Sequence, residues 1–161
     1  MVVAYSCSKN FGIYRERTGA AFVIGETEEQ ASAAQSHMVQ KARVAYSMPP
    51  DHGGSIVRTI LTDPALEKIW RAELTAMKTN IATKRSELSA AFVDLTGDDR
   101  YFSLGRQKGM FSLIGINAEQ AYRLRSQSGI YVVEDGRINV AGLRASQITP
   151  FVTAVAELLG K

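Results

Sequence analysis

Apolar residues recur at helical spacing through the middle of this chain. From residue 64 onward they stand three, four or seven positions apart, at Leu66, Ile69, Trp70, Leu74, Met77, Ile81, Leu88 and Phe92. This spacing places them on one face of an α-helix, and Asp63 followed by Pro64 supplies an N-cap and a favoured first helical residue. We predict one long helix over about residues 64–93. Its length of about 45 Å lets it belong to one domain at its start and to another at its end.

The pattern before this helix predicts two strands and two helices. Residues 2–5 form an apolar run without polar alternation, which is typical of a strand buried on both faces. A second β-branched and aromatic run covers residues 20–24 and ends at Gly25. Residues 27–46 contain no Gly or Pro and predict a helix that ends before Pro49-Pro50. A shorter helix is expected over about residues 55–61.

A different pattern follows Gly97 and predicts a small α+β module. A strand is expected over residues 110–114, followed by a helix that is capped by Asn117 and ends near Ser126. Residues 130–133 and 138–140 predict two strands joined by a tight turn at Asp135-Gly136. Thr149-Pro150 is expected to open a terminal helix.

Composition narrows the class of protein. The chain has 161 residues with a net charge of +3 and no block of five like charges, which argues against a nucleic-acid partner. Its single cysteine, Cys7, excludes an internal disulfide and fits a reducing cytoplasm. The apolar run at residues 2–4 is far too short to span a membrane. The two histidines, His37 and His52, lack the spacing of metal ligands, so we expect no metal site and no membrane partner.

Lys9 is the residue whose setting suggests chemistry. It follows the first apolar strand and has Ser6, Arg15 and Arg17 nearby in sequence. Lysine amines act as nucleophiles where burial or neighbouring cations favour the neutral form. A solvated loop lysine, and a surface ion pair for Arg17, are the alternatives that this local pattern leaves open.

Residues 6–17, SCSKNFGIYRER, nearly match the cofactor-lysine motif of the aspartate/aromatic amino-acid aminotransferases, and the chain is similar to that family. The resemblance implies that Lys9 forms an internal aldimine with pyridoxal 5'-phosphate and later shuttles a proton between the substrate and the cofactor. It also implies that Ser6 and Arg17 hold the cofactor phosphate, which a hydroxyl and a guanidinium suit chemically.

Two further segments resemble the same family, in order along the chain. Residues 42–53, ARVAYSMPPDHG, imply that Arg43 reaches across a dimer interface to the distal carboxylate of a dicarboxylic substrate, although Met48 departs from the usual small polar residue. Residues 107–112, QKGMFS, and residues 136–142, GRINVAG, imply that Phe111 lines the substrate pocket and that Arg137 binds the substrate α-carboxylate.

The resemblance implies an α/β fold, the C-terminal part of a fold-type I transferase that depends on pyridoxal phosphate. Residues 1–76 would end the large cofactor domain and residues 77–161 would form most of the small domain. In the family, several cofactor contacts precede the lysine, whereas only eight residues precede Lys9. We therefore expect a C-terminal fragment or truncated chain.

The expected activity is amino-group transfer between an aromatic or dicarboxylic L-amino acid and 2-oxoglutarate, with a homodimer as the full-length form. Whether aspartate or an aromatic amino acid is preferred stays open. The alternative is a non-catalytic fragment or interaction module that retains the small-domain fold.

Overall fold

The computed structural model describes residues 1–160. The chain divides into two compact units, Met1–Leu74 and the residues from Thr75 onward, and the division falls inside a long helix. The assignment of residues 1–76 and 77–161 to a large and a small domain remains a prediction. Within the described residues, no helix is both long and apolar enough to cross a membrane.

The first unit starts with a two-stranded antiparallel ribbon followed by helices. Strand β1, Val2–Ser6, pairs with β2, Gly19–Val23, so that Val2 lies opposite Val23 and Ser6 opposite Gly19. Helices α1, Glu28–Tyr46, and α2, His52–Thr62, come next. The Thr27 hydroxyl caps α1 by accepting from the Gln30 amide at 3.2 Å, as expected of an N-cap threonine.

Helix α3, Pro64–Thr96, confirms the long predicted helix and extends it by three residues. Its first turn is capped by Asp63, whose Oδ1 accepts from the amides of Ala65 and Leu66 at 2.8 and 3.2 Å. The helix begins in the first unit and continues into the second.

The prediction that residues 2–5 form a strand is confirmed, but the prediction that this strand is buried on both faces is wrong. All five residues of β1 are exposed, and Val2 keeps 73% of its surface accessible. The physical reason is that β2 is the only strand paired with β1 among the described residues, and a two-stranded ribbon leaves both faces uncovered.

The second unit contains the hydrophobic core of the chain. Helix α4, Phe102–Arg106, strand β3, Phe111–Leu113, helix α5, Ala118–Ser128, strand β4, Arg137–Asn139, and helix α6, Ala145–Leu158, follow the end of α3. The core side chains are Leu88, Phe92, Tyr101, Leu104, Ile114, Ile116, Ala121, Leu124, Ile138, Val140, Ile148, Phe151, Val152 and Val155. The strand predicted over residues 110–114, the helix predicted after Asn117 and the presence of a terminal helix are confirmed by β3, α5 and α6. Helix α4 was not predicted.

The predicted hairpin of residues 130–133 with 138–140 is wrong. Strand β4 pairs with β3 instead, with Ser112 opposite Ile138 and Leu113 opposite Arg137. The amide of Ile130 donates to the Leu124 carbonyl at 3.2 Å, so it closes the end of α5 and does not join a strand ladder. Residues 130–133 therefore connect α5 to β4 without strand structure.

The predicted start of the terminal helix is also wrong, because α6 begins at Ala145 and contains Pro150. The Gln147 side chain accepts from the Arg144 amide at 3.1 Å and so caps the earlier start. Ile148 lies on the same buried face as Phe151 and Val152. Burial of the Ile148 side chain helps to offset the backbone hydrogen bond that proline cannot donate.

Candidate functional site

Lys9 lies in the loop that joins β1 to β2, which we call the lysine loop, residues 7–18. The Cys7 amide donates to the Thr18 carbonyl at 3.0 Å and closes the base of the loop. A turn carries Lys9, because the Gly12 amide donates to the Lys9 carbonyl at 3.2 Å. The Lys9 side chain is exposed, with Nζ 5.3 Å from the Tyr14 ring centroid.

Trp70, from the start of α3, fixes the turn that carries Lys9. Its indole stacks on Phe11 with ring centroids 4.5 Å apart and an interplanar angle of 13°. Its Nε1 donates to the Asn10 carbonyl at 2.7 Å, and the Asn10 side-chain amide donates to the Tyr5 hydroxyl. The two residues that follow Lys9 are thus held through both backbone and side chains.

The predicted phosphate ligands lie at the base of the same loop. Ser6 ends β1, and its hydroxyl donates to the Ser8 hydroxyl at 3.1 Å. Arg17 lies on the other side of the base, next to Thr18, with a left-handed φ of 51°, and its Nη1 donates to the Tyr14 carbonyl at 3.1 Å. A hydroxyl and a guanidinium at the base of the loop that carries a primary amine are groups that suit a phosphorylated aldehyde.

Helix α2 packs on the second half of the lysine loop. His52 Nδ1 lies 2.8 Å from Glu16 Oε2, and Gly53 is buried. A Cβ at Gly53 would lie 1.9 Å from the Thr18 hydroxyl, so only glycine permits this approach. These contacts fix the backbone on both sides of Arg17.

The other predicted residue of the first unit, Arg43, stands apart from the lysine loop. It lies exposed in the last turn of α1, where its carbonyl accepts from the Ser47 amide at 3.0 Å. Within residues 1–160 no side-chain hydrogen bond or ion pair joins Arg43 to the loop. Its role in substrate binding stays a prediction.

The second unit brings Phe111 and Arg137 together on one face of the β3–β4 pair. The Arg137 guanidinium carbon lies 5.6 Å from the Phe111 ring centroid. Both residues line a cavity of about 250 Å³, here called the Arg137 pocket, whose walls are Gln107, Phe111, Ser112, Leu113 and Arg137. No acidic side chain of the described residues forms an ion pair with Arg137, so its charge is available to an anion.

Arg85 supports this pocket, and the sequence analysis missed it. Its side chain is buried on α3, and its five N–H groups reach four acceptors around β3. These are the carbonyls of Gly109 at 2.7 and 3.1 Å, Leu104 at 3.3 Å and Phe111 at 2.8 Å, and the Ser112 hydroxyl at 2.5 Å. The available signal was the gap between Ile81 and Leu88 in the apolar stripe, where Arg85 occupies a core-facing position. Burial lowers the pKa of its guanidinium.

Other features of the described chain do not add a second candidate site. A larger cavity of about 450 Å³ lies against α1 beside His37, Lys41 and Tyr46, but it contains none of the predicted site residues. Across residues 1–160, no group of three or more His, Cys, Asp or Glu side chains could hold a metal ion.

Comparison with known proteins finds a matching family and similar curated relatives. The family model described as aminotransferase class I and II matches residues 1–155. An aromatic-amino-acid aminotransferase of Paracoccus denitrificans is 42% identical over 158 residues, covering 98% of this chain and 40% of the relative. An aspartate aminotransferase of Escherichia coli is 42% identical over 160 residues, covering 99% of this chain and 40% of the relative. The chain thus spans about 40% of the length of these curated relatives.

A solved structure extends the likeness to the fold. The aromatic-amino-acid aminotransferase of Burkholderia pseudomallei, described as covalently bound to pyridoxal phosphate, superimposes with a TM-score of 0.83 at 35% identity. The match covers 98% of this chain and 40% of that one, so the α/β fold seen here is part of the fold-type I aminotransferase structure. By the family model, which covers nearly its whole length, this chain belongs to the class I and II aminotransferases.

Proposed function

We propose that this chain carries the lysine and the substrate-binding arginines of an aminotransferase. The reaction moves an amino group between an aromatic or dicarboxylic L-amino acid and 2-oxoglutarate. The observation that supports it best is the Arg137 pocket, where a guanidinium without an ion pair lies 5.6 Å from an aromatic ring. A guanidinium beside a ring suits a ligand with a carboxylate and an aromatic side chain.

The lysine loop is proposed to hold pyridoxal 5'-phosphate. Lys9 supplies a primary amine for the cofactor's aldehyde, while Ser6 and Arg17 supply hydrogen-bond donors for its phosphate. When bound, this cofactor acts as an electron sink for a carbanion at the substrate α-carbon. The one carboxylate of the lysine loop, Glu16, is occupied by His52 at 2.8 Å. The lysine loop therefore fits the aldehyde and phosphate ends of the cofactor, and it offers no free acid for the pyridine nitrogen.

Lys9 has a second task in this proposal. With cofactor and substrate bound, Lys9 Nζ would be the base that takes the proton from the substrate α-carbon and the acid that gives it back. Such a base must stay within hydrogen-bond reach of the reacting carbon. The contacts of Trp70 with Phe11 and with the Asn10 carbonyl restrict the backbone on which Lys9 moves.

Substrate binding is divided among three residues. Arg137 binds the α-carboxylate as a bidentate fork, and Phe111 packs against an aromatic side chain. Arg43 pairs with a distal carboxylate across the interface of a homodimer. The buried free thiol of Cys7 is compatible with a reducing compartment such as the cytoplasm.

Cofactor binding gives the test. Pyridoxal phosphate is titrated into the full chain, and the absorbance band of the lysine-bound cofactor is followed, with trapping by borohydride and peptide mapping. Label at Lys9 that disappears in Lys9→Ala and persists in Lys108→Ala supports the proposal. Lys108 is a matched control because it is another exposed loop lysine. Equal labelling of both lysines would reject a specific site.

A non-catalytic interaction module is the second candidate. The observation in its favour is the exposed apolar ribbon, in which Val2 and Phe22 keep 73% and 53% of their surfaces accessible. Exposed apolar surface of this kind marks interaction sites. Absence of Lys9 labelling and of amino-group transfer, in a chain with a cooperative unfolding transition, would favour this reading.

A further inference from the structure

The buried guanidinium of Arg85 starts a chain of hydrogen bonds with a fixed direction. Arginine can only donate, so the Ser112 hydroxyl accepts from Nη1 at 2.5 Å. The same hydroxyl lies 2.7 Å from Gln107 Oε1 and donates its proton there. Ser112 keeps only 4% of its surface accessible, so solvent does not compete for this proton.

The direction of these hydrogen bonds determines which group of the Gln107 side-chain amide can bind a ligand. Because Oε1 accepts from Ser112, the Nε2 group is left as the donor of that side chain. Gln107 and Arg137 both line the Arg137 pocket. The pocket therefore adds one neutral donor to the guanidinium fork of Arg137, and a carboxylate has enough lone pairs to accept from both side chains.

We propose that Arg85 is a positioning residue for carboxylate binding at Arg137, and that it acts through Ser112 on Gln107. Gln107 Nε2 is the second donor to the bound carboxylate. This inference rests on the proposed function, since it deepens the role given to the Arg137 pocket. It assigns to α3 a part in substrate recognition through a residue that never touches the substrate.

A purely structural role for Arg85 makes a different prediction. The guanidinium also binds the carbonyls of Gly109, Leu104 and Phe111, and those bonds alone would shape the loop before β3. In that case, loss of the Ser112 hydroxyl would change stability and leave the preference for a carboxylate unchanged. The discriminating quantity is thus the ratio of affinities for a carboxylate and for its matched amide.

The experiment uses the full chain and two non-reactive probes, 3-phenylpropionate and 3-phenylpropionamide. Dissociation constants are measured by ¹H–¹⁵N NMR titration. We expect Ser112→Ala and Gln107→Ala each to weaken the carboxylate about tenfold, as for loss of one hydrogen bond to a charged group, with the amide affinity unchanged. The double variant should bind no more weakly than either single one, because the two residues act in series.

Matched variants and a second signal separate the outcomes. Ser126→Ala and Gln127→Ala, both exposed on α5, should leave both affinities unchanged. Ser112→Ala should also shift the Gln107 side-chain NH₂ resonances in the unliganded chain. Arg85→Lys retains the positive charge without the planar fork, and it should reproduce both the affinity loss and the resonance shift.

The possible results separate failure of the Arg85–Ser112–Gln107 relay from failure of the proposed function. Loss of carboxylate preference in Arg137→Ala alone, with Ser112→Ala and Gln107→Ala unchanged, overturns the relay and leaves the proposed function standing. A wild-type chain that binds both probes equally well, or neither, overturns both proposals. Additive losses in the double variant overturn the serial arrangement.

Discussion

Substitution of Trp70 should lower the free energy needed to open the turn that carries Lys9. Two contacts of Trp70 contribute to this free energy. The Nε1–H bond to the Asn10 carbonyl, at 2.7 Å, is worth about 1 kcal/mol. The stack on Phe11, at 4.5 Å, adds about 1 kcal/mol beyond the buried area. Trp70→Phe keeps the stack and loses the hydrogen bond, whereas Trp70→Leu loses both.

Native-state hydrogen exchange of the Gly12 amide measures this opening directly, because that amide donates to the Lys9 carbonyl. Protection should fall about fivefold in Trp70→Phe and about thirtyfold in Trp70→Leu, which corresponds to about 1 and 2 kcal/mol. Tyr122→Phe is the control, since Tyr122 is 69% exposed on α5. Unchanged protection of Gly12 in Trp70→Leu would refute the claim that α3 fixes the lysine turn.

Two other substitutions test the proposed substrate contacts and the turn before Arg137. Arg43→Leu should lower kcat/KM for aspartate by the equivalent of about 2–5 kcal/mol, as for loss of a desolvated charge pair, and change it little for phenylalanine; equal losses on both substrates would contradict the assigned role. Gly136→Ala should destabilise the chain in urea unfolding by more than the control Gly97→Ala. Both glycines have positive φ, at 75° and 65°, which costs about 1–2 kcal/mol for alanine, but only at Gly136 would the new Cβ meet a backbone atom, the Ile116 carbonyl oxygen at 2.7 Å. Similar midpoints for the two variants would contradict this reasoning.

Local signals in the sequence were sufficient to predict α3 and the start of α5. The apolar spacing from Leu66 to Phe92 and the Asp63 cap predicted α3 to within three residues of its end. Asn117 predicted the start of α5, where its side chain accepts from the Gln120 amide at 2.9 Å. Periodicity and capping act within a few residues, so a single sequence contains them.

Pairing between distant segments could not be predicted in the same way. Residues 130–133 lie close in sequence to β4, yet β4 pairs with β3, which lies 24 or more residues earlier. The Ile130 amide instead donates to the Leu124 carbonyl at the end of α5, a contact that the apolar pattern does not reveal. Strand burial was missed for a related reason, because the apolar character of β1 does not reveal how many strands lie beside it.

The candidate site, like the fold, could be predicted only in part from the sequence. The residues named for chemistry came from a motif resemblance, and the structure adds that Phe111 and Arg137 share one pocket. Arg85 was overlooked because a charged residue in an apolar stripe looks like an interruption. Its burial is tolerated because every N–H group has an acceptor, and such satisfaction is visible only in three dimensions.

The two parts of the candidate site rest on unequal support. The Arg137 pocket is built on β3 and β4, where Ile138 and Val140 belong to the hydrophobic core. The first unit has few fully buried residues, Cys7, Ser8 and Gly53 among those described. Order in the lysine loop therefore depends on individual contacts, chiefly those of Trp70 and the packing of Gly53 against Thr18. Because local opening costs least where buried apolar contacts are fewest, we expect the lysine loop to open before the Arg137 pocket does.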